Sequence, residues 1–206
     1  MHNRSPLKIC LVGPHGAGKS TLGVAVAQRL GVEFRDEIGR HLREAALAAD
    51  PDQHALRYDA DFDRRVIEGE LERDAARGAR HGFVVETWHP GNLAYARIRS
   101  PQVSRWLEPA ARAAARRCGD LVVVPVTASR EALMARCNEP GGTLDERTDF
   151  FLRVAAEATR VAMRWGLRVT PTVDTSHADV DTCVAAILAA AESARLEAAA
   201  SVRSAA

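Results

Sequence analysis

Five short apolar runs punctuate the chain, and between them apolar residues recur every three or four positions. The runs are 7–12 (LKICLV), 32–34 (VEF), 83–86 (FVVE), 120–126 (DLVVVPV) and 167–173 (LRVTPTV). Their brevity and β-branched content predict buried strands. The intervening pattern predicts helices. The first, 19–31, ends on Gly31, and the second, 35–50, stops before Pro51. A longer one over 54–80 carries Leu56, Phe62, Val66, Ile67 and Leu71 on one face. Two helical pieces follow the loop TWHPGN, the second capped by Ser100 with Pro101 in its first turn. Helices over 129–137, opening at Ser129, and 147–165, then a final one from about Ala178, complete the series. Strands alternating with helices predict an α/β chain of three layers. A five-stranded parallel sheet lies in the middle, joined by right-handed crossovers. The chain reads as one domain over 1–206, loose at 1–6 and about 196–206, with the stretch 138–147 as a short lid.

Composition narrows the function classes. A hydrophobic fraction of 47% and a charged fraction of 27% are those of a globular domain. A net charge of +1 gives no overall field for nucleic acid or membrane. Cys10, Cys118, Cys137 and Cys183 share no metal-ligand spacing, so a reduced, cytoplasmic setting is expected. The residues 1–8 (MHNRSPLK) show no secretory leader pattern, and no apolar run is long enough to span a bilayer. Of the 28 basic residues only Lys8 and Lys19 are lysine, which makes a lysine inside a glycine-rich loop conspicuous.

That loop is 13–20, GPHGAGKS, which fits G-x-x-x-x-G-K-[ST] in full between a strand and a helix. Gly13, Gly16 and Gly18 let the backbone N–H groups, with those of His15, Ala17 and Thr21, turn toward phosphate oxygens. The helix that follows adds the positive end of its dipole. Lys19 is expected to reach the β- and γ-phosphates, and Ser20 to ligate Mg²⁺. A nucleoside triphosphate, ATP before GTP, is the implied ligand. No NKxD guanine reader is present, and DEIG (36–39) lacks the buried strand a GTPase needs before it. Larger AAA and transporter ATPases need a second domain or a signature loop. A small-molecule kinase remains.

In order along the chain, HGAGKSTL, FRDEIGRHLREAAL, DFDRR, FVVETWHPGNLAYA, LVVVPVTASREALMAR, LDERTDFFLRV and VTPTVDTSHADVDTCVAAI resemble segments of the thymidylate kinase and deoxynucleoside kinase group. The sequence is also similar to single-domain AAA-type ATP-binding kinases related to nicotinamide riboside kinases. The resemblance implies that Asp63-Arg64 stands where that group clamps an acceptor phosphate. It also implies that Arg136 ends the helix after the fourth strand. Two positions depart from the thymidylate kinase pattern: Thr87 replaces an acceptor-binding arginine, and Ala96 replaces a base-reading glutamine. The acceptor site therefore reads as rewritten, with a nucleoside-like hydroxyl favoured over a nucleoside monophosphate.

Roles follow from position. Glu86, at the carboxyl end of the third strand, is expected to hold Mg²⁺ with Ser20 or to face the substrate. Asp36 and Glu37 follow the second strand, and one of them, Glu37 for preference, would accept the acceptor's proton. Arg40 would orient that acid, touch the substrate, or form a surface ion pair. Arg64 either contacts the acceptor or pairs along its own helix. Arg136 and Arg147 flank the lid and would neutralise transferring charge, with Arg153 more distant. Trp88, His89 and Tyr95 either stack on a flat acceptor or pack the interior. The Ala-rich stretches EPAARAAARR and CVAAILAAAESARLEAAA would pack either within the chain or against a second copy. The rival to a kinase is a nucleotide-dependent switch or regulatory ATPase.

Overall fold

The computed structural model describes residues 6–50, 54–77, 81–137 and 142–204. Six parallel strands are β1 (Lys8–Val12), β2 (Glu33–Arg35), β3 (Phe83–Glu86), β4 (Leu121–Thr127), β5 (Arg168–Val169) and β6 (Val173–Asp174). The order across the sheet is β2-β3-β1-β4-β5, with β6 also on β4. Cys10 faces Val85 on one side and Val123 on the other. The expected fifth strand, 167–173, is split in two. Pro171 cannot donate to the ladder, and Thr170 N–H, just before it, is the last to reach Val123 O.

Strand alternation sends the two sheet faces to different helices. Cys10, Val85 and Val123 face one core with Phe83, Leu93 and Phe150, beneath α3 (Ala60–Arg77), α4 (Trp88–Arg99), α5 (Pro101–Arg117) and α7 (Leu144–Arg164). Ile9, Leu11, Val84 and Val124 face the other, beneath α1 (Lys19–Leu30) and α8 (Val180–Ser204). The remaining helices, α2 (Ile38–Ala49) and α6 (Arg130–Arg136), lie beside the carboxyl edge of the sheet, where their residues border the site. The Ala-rich faces pack inside the chain: Ala111 and Ala115 of α5 and Ala191 of α8 are fully buried. Among the described residues no helix is long and apolar enough to cross a membrane.

Several boundaries differ from expectation. The third helix starts at Ala60, because Asp59 accepts a hydrogen bond from Phe62 N–H while 55–57 form a turn. Its expected end at 78–80 lies outside the described residues. α7 starts earlier, at Leu144, through a capping box in which Thr143 and Glu146 bind each other's backbone. Ser129 caps α6 as expected, accepting from Ala132 N–H. Ser100 stands at the start of α5 but makes no capping bond through its side chain among the described residues. The tail expected to be loose continues α8 to Ser204. Of the expected lid, 138–141 lie outside the described residues, as do 1–5 and 205–206.

Candidate active site

The loop between β1 and α1 stands at the carboxyl edge of the sheet, and its glycines serve two different needs. Gly16 and Gly18 take φ of 82° and 83°, the left-handed region that costs a side chain most. A Cβ on Gly13 would come 2.2 Å from the Val126 carbonyl oxygen, so Gly13 is required by the closeness of β4. Ala17 N–H and the Lys19 ammonium both donate to Pro14 O, at 3.3 and 2.9 Å. Desolvation lowers the Lys19 pKa, opposed by the charges of Glu37 and Glu86. Among the described residues α1 has no acid in its first turn, so its N-terminal amides and dipole meet no carboxylate from their own helix.

One residue into α1, Ser20 Oγ donates to Glu86 Oε2 at 2.7 Å. Arg40 Nη2 closes the cluster, 2.6 Å from Ser20 Oγ and 2.7 Å from Glu86 Oε1. Glu86 is only 1% exposed. Its direction is fixed by a strained corner: Thr87 takes φ 64°, ψ −66°, and Trp88 φ 46°. Thr87 N–H donates to Leu11 O, Gly91 N–H donates to Thr87 O, and Trp88 Nε1 donates to Asp74. A Cβ on Gly91 would lie 2.5 Å from the Thr87 methyl, so only glycine lets α4 turn this tightly.

Three cavities follow one another along this edge. The largest, about 630 Å³, runs from the phosphate loop to α2 and is lined by Lys19, Ser20, Glu37, Arg40, Glu86 and Arg136 among others. Toward α3 it meets a narrow slot of about 30 Å³, and Glu37 and Arg43 border both. On the opposite side of the loop a cavity of about 230 Å³ lies between the loop and the start of α8, where Thr175, Asp179 and Cys183 form the far wall. Gly16, Gly18, Thr21 and Arg136 belong to both this cavity and the largest one.

Of the two adjacent acids, Glu37 lines the cavities, its carboxylate folded over Gly39, which would carry a Cβ 3.2 Å from Oε1. Asp36 turns away to His41, at 2.7 Å, and toward Arg73. Arg40 meets Ser20 and the buried Glu86, so its ion pair is not a surface one. Arg64 does not reach the site. It pairs with Asp61 and Glu68 on the exposed side of α3, one and the other a helical turn away. Trp88 and His89 are interior residues, both held by Asp74. Burial lowers the His89 pKa and keeps the ring neutral. Tyr95 does reach the slot. His15 lines the large cavity with its ring against Phe151, centroids 5.2 Å apart.

Arg136 crosses from α6 to the loop after β6, donating to Thr175 and to the Ser176 carbonyl. Arg147 instead donates to Gly142 O, and Arg153 lies in an outer groove beside Leu56. The arrangement also includes residues that the sequence did not single out. Arg43 follows from helical spacing, standing one turn beyond Gly39 on the face of α2 that borders the cavities. Asn92 and Arg99 follow from no local pattern. Arg99 bonds to Asp63 and to Ala55 O across three segments.

A family model described as an AAA domain matches residues 8–179. Among solved structures, a NadR protein in complex with NR superposes with a TM-score of 0.64 at 17% identity, over 91% of this chain and 52% of that one. Shikimate kinase from Aquifex aeolicus gives 0.51 at 16% identity, over 92% and 99% of the two chains. A gluconokinase from Sinorhizobium meliloti gives 0.51 at 20%, over 95% and 97%. A shikimate kinase of Halorhodospira halophila is 60% identical over 35 residues, 17% of this chain and 20% of that protein. The chain thus spans about half of the NadR structure, and its alignment with the curated relative covers a fifth of that relative's length. These likenesses establish the three-layer P-loop kinase fold. The family match over 8–179, on a sheet that carries the phosphate loop at its carboxyl edge, makes this protein a member of the AAA domain family.

Proposed function

We propose that the protein transfers the γ-phosphoryl group of ATP to a hydroxyl of a small, nucleoside-like acceptor, with Mg²⁺ as cofactor. The observation that carries this reading is the placement of Glu37 on the border between the phosphate-loop cavity and the slot. A carboxylate there faces the γ-phosphoryl from one side and an acceptor from the other. The 230 Å³ cavity behind Arg136 suits the donor's base, with the polyphosphate passing over Gly16, Gly18 and Thr21 into the large cavity.

Mg²⁺ fits the Ser20–Glu86 pair on the chemistry of its donors, a hydroxyl and a buried carboxylate. The same pair already holds a positive group, the Arg40 guanidinium. When bound, the metal would offset charge on the β- and γ-phosphates. Lys19 would bind those phosphates, and Arg136 would add positive charge where the leaving oxygen forms. Glu37 would take the proton as the acceptor oxygen bonds to phosphorus and the bond from phosphorus to ADP breaks. A nucleoside monophosphate as acceptor is the weaker reading, since Arg64, the residue that would clamp its phosphate, is engaged at the surface.

The test is transfer of label from ATP to a panel of nucleosides, nucleoside monophosphates and hydroxy acids. Acceptor-dependent product is expected, with Glu37→Gln slower by roughly 10²–10⁴ at unchanged nucleotide affinity. Slow release of inorganic phosphate, indifferent to every acceptor and to Glu37→Gln, would identify a switch or regulatory ATPase instead.

A further inference from the structure

The slot beyond Glu37 has the makings of a ring-binding site. Tyr58 and Phe62 stack upon each other, centroids 4.0 Å apart and planes within 9°. Both line the slot together with Tyr95 and Phe151. Its one buried cation is already committed: Arg99 bonds to Asp63 and to Ala55 O, and its guanidinium lies 4.9 Å from the Tyr95 ring centre. Asp63 and Arg99 cancel each other; the second guanidinium of the lining, Arg43, stands at the border with the large cavity, where the phosphoryl group would lie.

Asn92 completes the lining. It is 2% exposed, and both its amide nitrogen and its carbonyl oxygen are buried with no hydrogen-bond partner among the described residues. A buried amide left unpaired is costly, and nearly all buried polar groups find partners. An amide presents a donor and an acceptor side by side in one plane. A planar ring edge that carries an acceptor beside a donor, as a lactam or a carboxamide does, satisfies both at once.

We propose that the slot seats the planar ring of the acceptor, that Asn92 pairs with a lactam or carboxamide edge on that ring, and that the acceptor is a nucleoside-type compound rather than a hydroxylated carboxylic acid. The proposal rests on the phosphotransferase reading for the fate of the hydroxyl. With the ring between the aromatic walls, the attached sugar lies at Glu37, where slot and large cavity meet. In the free protein the slot holds about 30 Å³, room for a single water. A ring therefore enters by parting the Tyr58–Phe62 pair from Tyr95 and Phe151.

The experiment is calorimetric titration of the whole chain, without donor, using uridine, inosine and nicotinamide riboside as amide-edged rings. Phenyl riboside has the ring without the edge, and shikimate is the hydroxy acid. The unaltered protein should bind at least one amide-edged riboside at least ten-fold more tightly than phenyl riboside. Asn92→Leu should erase that difference while leaving phenyl riboside unchanged. The ligand-free melting temperature of Asn92→Leu should match or exceed that of the parent, because the replacement removes an unpaired amide. Binding of none of the three amide-edged ribosides, equal discrimination by Asn92→Leu, or a melting point lowered by several degrees would overturn the proposal; the last would make Asn92 a support of the fold. Labelled ATP separates this failure from failure of the kinase reading. Asn92-dependent ring binding with no transfer to any acceptor would remove the kinase and leave the slot. Transfer to shikimate or gluconate, as fast in Asn92→Leu as in the parent, would leave the kinase and remove the slot.

Discussion

Arg40 is the residue whose placement most changes the picture of the site. Its guanidinium rests between the Ser20 hydroxyl and the Glu86 carboxylate, where the donor chemistry suits a divalent cation. A buried carboxylate stays ionised when a counter-charge stands beside it, and Arg40 stands beside Glu86 in the free protein. On the proposed reading, metal and nucleotide together would displace it. Replacing Arg40 with Met removes the competitor, so half-saturation with Mg²⁺, followed by calorimetry at fixed concentration of a non-hydrolysable ATP analogue, should need less metal. If Arg40 occupies the position nine-tenths of the time, the drop is about ten-fold. An unchanged or weaker metal dependence would assign Arg40 to the phosphates instead. Ser20 and Glu86 were legible in the sequence because a motif and a strand end fix their positions. Arg40 was not, because a long side chain on a neighbouring helix can reach several places. Arg64 shows the converse: a plausible sequence pair in which Asp63 turns inward and Arg64 stays outside.

The most unusual helix is α3, whose inner face carries charge. Glu70 is fully buried, accepts from Arg73 Nη2 at 2.5 Å, and leaves Oε1 unpaired among the described residues. Burial pushes its pKa up to about 8, with Arg73 pulling the other way. Between about pH 4.5 and 8 the folded chain therefore holds a proton that the unfolded chain has released, and this group makes stability fall as pH rises through that window. Glu70→Gln stays neutral throughout. Its urea midpoint should exceed the parent's at pH 8.5, and the gap should narrow toward pH 5; a constant gap would contradict the raised pKa. Arg73 also donates to the Asp36 carbonyl, one residue from Glu37, so α3 braces the start of α2. None of this was visible as periodicity, since a charge on the inner face reads as a break in the apolar stripe. The opposite error occurred at 54–59, where Leu56 continues the spacing although the turn before Ala60 ends it. The capping box that begins α7 stands in the sequence as Thr143-x-x-Glu146, but it falls inside the stretch expected to be a lid, and the helix was expected to begin three residues later.

At the scale of the whole molecule, three cavities form one track past the carboxyl ends of the strands, and a donor and an acceptor can meet head to head over the loop. A ligand that binds only the folded chain raises its melting temperature with the logarithm of the ligand concentration relative to the dissociation constant. At Mg²⁺–nucleotide one hundred-fold above its dissociation constant, the gain is about 2.7 kcal/mol, a rise of about 5–10 °C for a chain of this size. Lys19→Ala should abolish the shift, and differential scanning calorimetry reads both. The fold was legible because strand runs, helix stripes and the glycine loop agree with one another. The acceptor side was less so: Tyr95 was visible, but the slot is assembled from α2, α3, α4 and α7, and residues far apart in the chain meet there without a shared motif.

The corner at Thr87–Trp88 ties two properties together. The same backbone kink aims Glu86 at Ser20 and sets the angle at which α4, with Asn92 and Tyr95, leaves the sheet. On the proposed reading, metal affinity and acceptor choice would then be geared to one hinge pin. A substitution that relaxes the corner, even far from either ligand, would detune both in step, and variants selected for a new acceptor should carry altered cation demand as a side effect.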